Sequence, residues 1–414
     1  MSDKKYPRKS QNKFSQSSSY DLCIVGGAGR VGLPLGVVFA NHQVKTVLCD
    51  INKVSLEKIS RGKFPFLEKD GDEQLKKALR NKMLFMSDSP AVISQSKYVL
   101  VVIGTPVDKY LNPDFNSFMS VIEQYLDYFK DDQILILRST IYPGVSEKVQ
   151  NLFINKKKKV GVAFCPERIV EGVALEELKN LPQIISAFDT RTLIETEQLF
   201  KKIVKSKIIK LDPLEAELAK LFSNAWRYIK FSVANQFLMI AEDYNLDYFK
   251  IDQAMKDGYP RNKELPSPGF AAGPCLFKDT MQLSAFNKNN FFVGHAAMLI
   301  NEGLPNFLIQ KLKKEHDLTQ KTIGILGMTF KAESDDVRDS LSFKLKKIAE
   351  MESKKVLYHD FYLKSMGDPA FVGLGNLLGR SDIIILATPH EGYKKIDFSK
   401  YQGKTIIDIW GFWK

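Results

Sequence analysis

Asp21-Leu-Cys-Ile-Val-Gly-Gly-Ala-Gly-Arg-Val-Gly-Leu-Pro-Leu-Gly-Val-Val-Phe-Ala40 decides the fold. Leu22 to Val25 is a continuous apolar run of strand length, and Leu33 to Ala40 reads as a helix. Between them stands Gly27-Ala-Gly29-Arg30-Val31-Gly32, a G-x-G-x-x-G in the strand-to-helix setting that a dinucleotide fingerprint requires. Glycines there permit a tight turn, close approach of the backbone to a pyrophosphate, and close packing of helix on strand. A second strand, Lys45 to Cys49, ends at Asp50, 18 residues after Gly32. A carboxylate at that strand end accepts hydrogen bonds from a ribose and repels a 2′-phosphate, so the expected cofactor is NAD rather than NADP.

The same grammar continues downstream. Tyr98 to Ile103 runs into Gly104-Thr105-Pro106, and Gln133 to Leu137 runs into Arg138-Ser139-Thr140. Continuous apolar strands suit a parallel sheet covered on both faces, and polar groups at their C-terminal ends fall where such sheets bind ligands. Thr105 and Thr140 are therefore site candidates, with helix capping as the plainer role for a hydroxyl. Val160 to Phe164 leads into Cys165-Pro-Glu167-Arg168-Ile-Val-Glu171-Gly172, a charged loop just past a strand. Residues 212 to 244 form the longest helical pattern, with Leu214, Leu218, Leu221, Phe222, Ala225, Ile229 and Val233 at helical spacing. Such a stripe suits a helix joining two domains or packing on a second subunit. Lys220 and Asn224 border it, four apart on one face. A second α/β unit opens at Lys321, with strands at 322–326, 355–358, 382–386 and 405–409 but no glycine fingerprint.

The expected fold class is α/β: two Rossmann-like doubly wound domains joined by a helical centre. The boundaries read as a disordered tail at 1–20, an NAD-binding domain at 21–211, a helical domain at 212–315 and a C-terminal domain at 316–414.

Composition narrows the classes of function. The 414 residues are 44% hydrophobic and 26% charged, a globular balance, and no apolar run approaches the length of a membrane span. The tail carries five bases against one acid, +4 of the chain's formal +12. Lys156 to Lys159 is a basic run without aromatic or Arg-rich company, so it reads as a solvated loop and no nucleic-acid partner is expected. Four scattered cysteines, Cys23, Cys49, Cys165 and Cys275, fit neither a disulfide framework nor a metal site. They suit a reducing cytoplasm.

One cysteine stands out. In Ser267-Pro-Gly-Phe-Ala-Ala-Gly-Pro-Cys-Leu-Phe-Lys-Asp-Thr280, Pro274 suits the first position of a helix and puts Cys275 in its first turn, where the helix dipole draws a thiol toward thiolate. Asp279 lies one turn on, so a nucleophile and a possible base share one face. A buried, inert cysteine remains the alternative at this point.

Seven segments in order carry a resemblance: GAGRVGLP (27–34), GTP (104–106), RSTIYPG (138–144), CPERIVEG (165–172), ELAKLFSNAWR (217–227), GPCLFKD (273–279) and FKAESDDVRDS (330–340). The chain resembles the nucleotide-sugar 6-dehydrogenases of the UDP-glucose and GDP-mannose dehydrogenase superfamily over residues 20 to 414. The resemblance implies a four-electron oxidation of a sugar C6 alcohol to a uronate, using NAD twice, with Cys275 holding the aldehyde as a thiohemiacetal and then a thioester. It implies Lys220 and Asn224 on the C6 oxygen, Asp279 with Thr140 on the hydrolytic water, and Glu167 as base of the thioester step. It further implies Gly27, Gly29, Arg30, Val31, Gly32, Asp50, Thr105, Thr140 and Arg338 toward the cofactor. Toward the UDP-sugar it implies Glu167, Arg168, Glu171, Phe270, Gly273, Phe330 and Lys331, with Arg261 reaching a neighbouring subunit's substrate in an obligate dimer. No metal is implied.

The departures bear on the substrate. Arg168 follows Glu167 where many UDP-glucose enzymes have Phe, which is similar to the UDP-N-acetylmannosamine and UDP-N-acetylglucosamine branch. Ala271-Ala272-Gly273-Pro274 replaces a more glycine-rich approach to the cysteine, and Pro274 lacks a backbone donor. Asp408-Ile-Trp410 lacks the Arg-Asn that commonly follows this aspartate. UDP-glucose oxidation, a two-electron hydroxyacid-type dehydrogenase and a non-catalytic sugar-nucleotide binder stand as alternatives.

Overall fold

The structure, a computed structural model, describes residues 19–105, 114–364 and 367–414. The expected tail, except for its last two residues, and Pro106 of the GTP segment lie outside them.

The first sheet comprises β1 (Tyr20–Val25), β2 (Thr46–Cys49), β3 (Leu84–Ser87), β4 (Ser96–Val101), β5 (Ile134–Leu137), β6 (Gly161–Phe164), β7 (Gln183–Ala187) and β8 (Ile208–Lys210). Their spatial order is β3-β2-β1-β4-β5-β6-β7-β8, parallel except where β6 meets β7. Alternate residues face opposite cores, Ile24, Leu48, Leu100 and Ile136 on one side and Cys23, Val47, Val99 and Leu135 on the other. All eight are buried, which explains runs without polar alternation. The chain leaves β1 toward β2 on one side and toward β4 on the other, so the C-terminal ends of β1 and β4 form the topological switch point. The glycine loop and Thr105 both lie there.

The long helix, Pro213–Asp243, starts where Asp212-Pro213 predicts, with the Glu215 carboxylate accepting the Asp212 N–H at 2.9 Å. Its inner face buries Glu217, Lys220, Leu221, Asn224, Ala225 and Tyr228. The apolar stripe is only partly internal: Leu214, Phe222 and Val233 are exposed, as are Trp226, Phe237 and Ile240. Helices Leu276–Phe286 and Phe292–Glu315 pack against it, and Asn235 fastens the bundle by bonding both backbone groups of Gly269 and donating to the Asn301 side-chain oxygen Oδ1.

The second sheet contains β9 (Thr322–Leu326), β10 (Lys355–His359), β11 (Ile383–Leu386) and β12 (Thr405–Asp408), all parallel in the order β10-β9-β11-β12. Its own switch point lies between β9 and β11, and the segment after β9, Gly327 to Asp339, runs from there back toward the first sheet.

Candidate active site

The floor of the cofactor crevice is glycine because nothing larger fits. Gly26, outside the fingerprint read from sequence, has φ +79°, and a Cβ on it would lie 2.0 Å from the Val102 carbonyl oxygen. Val31 caps the following helix, and Asp50 at the end of β2 accepts the Ala28 N–H at 2.9 Å, tying the glycine loop to the neighbouring strand. This cradle of close backbone with a carboxylate at its side fits a dinucleotide.

Arg30 does something the fingerprint did not foretell. Its guanidinium bonds Asp335 at 2.8 Å, lies 3.6 Å from Asp336 and 3.7 Å from Glu171, and covers the Phe66 ring. Arg338 closes the same cluster on Asp336 and on Glu171 at 3.0 Å, and the Lys331 ammonium bonds the Glu171 carbonyl. Segments following β1, β6 and β9 thus meet in one polar knot. Burial, together with the charge of Asp336, raises Glu171 to about 7 against the pull of Arg338 and Arg30.

Cys275 sits at the N-cap of helix Leu276–Phe286, so Pro274 precedes the helix instead of opening it. Its residue surface is exposed, yet protein crowds it closely, and the crowding governs its ionisation. Desolvation, then the charge of Asp279, raises the thiol above its ordinary value, while Lys220 and Lys278 oppose the shift. The expectation of a thiolate drawn out by the helix dipole is therefore corrected. Asp279 is fully buried one turn on, its N–H bonded to the Cys275 carbonyl at 2.9 Å. One of its oxygens accepts from Asn224 at 2.5 Å and the other from Lys278 at 2.6 Å. Lys278, missed from sequence although it adjoins Asp279, also reaches the Thr105 hydroxyl at 3.4 Å, and that hydroxyl donates to the Thr140 carbonyl at 2.5 Å. Lys220 is buried with no hydrogen bond or ion pair among the described residues. A buried ammonium that makes no ion pair among the described residues is well suited to an anionic oxygen of a ligand.

Other expected residues have different employment. Glu167 accepts Arg138 Nε at 2.8 Å on one oxygen and the N–H groups of Arg168 and Ile169 on the other, so both oxygens are occupied and it braces its loop. A free base is not what this geometry offers. The Arg168 guanidinium bonds the Pro182 carbonyl. Phe270 is buried in the core with Leu238, Leu304 and Ile323, so it supports the cysteine loop from beneath. Gly273 has φ +100°, and a Cβ there would stand 2.5 Å from the Phe330 ring, so Phe330 and Gly273 do come together. Arg261 is exposed on the short helical turn Pro260–Asn262, its guanidinium over Tyr259.

Models of the UDP-glucose/GDP-mannose dehydrogenase family match the chain three times: the NAD binding domain at 21–204, the central domain at 214–302 and the UDP binding domain at 324–414. The chain belongs to this family. It is an NAD-dependent nucleotide-sugar dehydrogenase. The UDP-N-acetyl-D-mannosamine dehydrogenase of Pyrococcus horikoshii is 28% identical, over 92% of this chain and 93% of that protein. The protein of the same name from Methanocaldococcus jannaschii is 28% identical over 94% and 91%. Among solved structures, the UDP-D-ManNAc dehydrogenase of P. horikoshii superposes with a TM-score of 0.85 at 27% identity, covering 93% of each chain. A UDP-glucose dehydrogenase from Pyrobaculum islandicum shares the fold with a TM-score of 0.86 at 22% identity, covering 97% of this chain and 100% of that one. The second sheet of this dehydrogenase is accordingly the UDP-binding part, and the polar knot around Arg30 joins it to the NAD-binding part.

Proposed function

We propose that this dehydrogenase oxidises the C6 alcohol of a UDP-N-acetylhexosamine, UDP-N-acetylmannosamine or UDP-N-acetylglucosamine, to the uronate in two hydride transfers, with Cys275 as the covalent anchor. The observation that carries the reading is an exposed cysteine at a helix start with a buried ammonium that makes no ion pair among the described residues and a buried carboxylate around it. Bound NAD supplies the acceptor for each hydride.

In the first step the alcohol loses a hydride to bound NAD and its hydroxyl proton to solvent water, and Lys220 stabilises the charge that grows on the C6 oxygen. The Cys275 sulfur then adds to the aldehyde carbon, its proton passing to the carbonyl oxygen. A second hydride then leaves that carbon and the hydroxyl proton passes to a carboxylate base, which gives a thioester. Water, oriented by Asp279 and Thr140, cleaves it to carboxylate and restores the thiol. Asn224 holds Asp279 in place as well as facing the C6 oxygen. Glu171, whose charge is felt at the Cys275 sulfur, suits the base role better than the braced Glu167.

The N-acetyl preference is supported by the names of the relatives. Arg168 supports it less, because its guanidinium is engaged by Pro182, and that engagement keeps UDP-glucose as the second reading. We read the chain as a cytoplasmic homodimer with domains at 21–211, 212–315 and 316–414, in which the exposed apolar face of the long helix meets a second copy and Arg261 reaches across. The test is NADH released per molecule of limiting substrate, with UDP-N-acetylmannosamine, UDP-N-acetylglucosamine and UDP-glucose offered separately. Two NADH from an N-acetyl sugar is the expected result. A single NADH per substrate overturns the covalent mechanism, and turnover with UDP-glucose alone overturns the substrate reading.

A further inference from the structure

His390 lies in the segment after β11, wholly buried, outside every group invoked so far. Each of its ring nitrogens has a defined partner. Nδ1 accepts the Glu333 backbone N–H at 3.1 Å. Nε2 faces Asp360 Oδ2 at 3.0 Å and the Thr329 hydroxyl oxygen at 3.2 Å. An N–H can only be received by a ring nitrogen without a proton, and a carboxylate oxygen can only receive one. The partners therefore assign the neutral imidazole with its proton on Nε2. Asp360 is fixed in turn, accepting from the N–H groups of Met328, Thr329 and Tyr362.

What His390 holds is the turn from Thr329 to Glu333. Thr388 donates to the Thr329 carbonyl at 2.6 Å, Thr329 donates to the Lys331 carbonyl at 3.0 Å, and Glu333 sits at φ +53°, a conformation a non-glycine residue keeps only when its surroundings fix it. The tip of this turn is the part of the second sheet that reaches the catalytic cysteine: the Phe330 ring lies against Gly273, two residues before Cys275, and Lys331 bonds the Glu171 carbonyl. We propose that His390 is a positioning residue, whose unprotonated Nδ1 fixes the Thr329–Glu333 turn and thereby sets Phe330 and Lys331 for the UDP-sugar and for the cysteine loop. The role rests on the nucleotide-sugar reading, but it concerns a residue that touches neither substrate nor cofactor.

Two isosteres separate this role from simple core packing. Asparagine presents its carbonyl oxygen near the Nδ1 position and so keeps the acceptor for Glu333, while losing the donor to Asp360. Glutamine presents its NH₂ near Nε2 and does the reverse. UDP affinity, NAD affinity and the rate of Cys275 alkylation by iodoacetamide are measured on the full chain for wild type, His390→Asn, His390→Gln and His390→Leu. The alkylation is scored at Cys275 by peptide mass. His390→Asn is expected within about twofold of wild type in UDP affinity, and His390→Gln and His390→Leu about tenfold weaker, the loss of one hydrogen bond to a buried group. NAD affinity stays unchanged in all three, which reports an intact first sheet. Equal weakening of the asparagine and leucine variants, or a glutamine variant as tight as wild type, overturns the proposal. A wild-type chain that does not bind UDP sinks the substrate reading instead. His390 is then judged on Cys275 alkylation alone, where equal rates in the asparagine and leucine variants overturn the positioning role.

Discussion

Asn224, in the first half of the long helix, donates its side-chain N–H to Asp279 across a helix junction at 2.5 Å, and Asp279 has no exposed surface. The carboxylate is thus held by one neutral and one charged donor, Asn224 and Lys278, and its charge is felt by the Cys275 sulfur. The contact that places the Asp279 carboxylate thereby also bears on the ionisation of the Cys275 thiol.

Replacing Asp279 with asparagine removes a negative charge beside the thiol, so the Cys275 pKa falls and alkylation at neutral pH accelerates. On the proposed mechanism turnover moves the other way, down by about 100-fold or more, as the hydrolytic water loses the carboxylate that orients it. Lys278→Met has the opposite effect on the thiol, raising its pKa and slowing alkylation, because Lys278 is one of the two cations that oppose the shift. Alkylation rate against pH for the three proteins checks both signs. A common curve for all three would mean that crowding alone governs the sulfur.

Arg30→Ala cuts the link between the glycine loop and Asp335. The pair is partly exposed, and an exposed ion pair contributes about 0–1 kcal/mol, so global stability changes little. The consequence is expected in kinetics: the KM values for NAD and for the UDP-sugar both rise, because Arg30 bridges the parts that bind them. Steady-state kinetics with each ligand varied checks this, and a rise confined to NAD would assign Arg30 to the cofactor alone.

Much of the fold was legible because the chain repeats one signal, an apolar run followed by a polar strand end, and burial on both faces forces that signal in a parallel sheet. The capped start of the long helix was legible for an equally local reason, the Asp212-Pro213 pair. What escaped the sequence was the employment of charged side chains. Arg30 lies inside the fingerprint but reaches 305 residues along the chain to Asp335, and Glu167 is closed off by Arg138, a residue that reads only as a strand-end cation. The thiol shift escaped for a related reason. A helix N-terminus is visible in sequence, whereas the desolvation that opposes it arises only once the fold packs around the thiol.

Glu171 gives the stability of the protein a pH signature. Its carboxyl is raised from an ordinary 4.5 to about 7 in the fold, so between these values the folded state binds more protons than the unfolded one. Stability contributed by the protonated group is complete below 4.5 and is lost as pH rises through 7. Glu171→Gln is neutral throughout and should flatten the fall in melting temperature across that window. Thermal unfolding of both proteins at several pH values measures it, and parallel curves would mean that Glu171 titrates as an ordinary carboxylate.

The long helix makes the last prediction. Phe222 and Trp226 are four apart and each 54% exposed, and Val233, Phe237 and Ile240 continue outward-facing apolar surface toward the helix end. On the adjoining helix Phe292, Val293 and Leu299 are exposed too. Apolar surface of this extent is costly in water, and a stable interface needs about 800 Å² from each partner. A second copy provides the same surface to itself about a twofold axis. Wild type should therefore run as a dimer or larger in sedimentation, and Phe222→Lys with Trp226→Lys should run as a monomer with unchanged circular dichroism. If Arg261 completes a neighbour's site, the monomer loses turnover while still binding NAD, and Arg261→Ala reproduces that loss without dissociating the dimer. A fully active monomer would remove the neighbour from the mechanism.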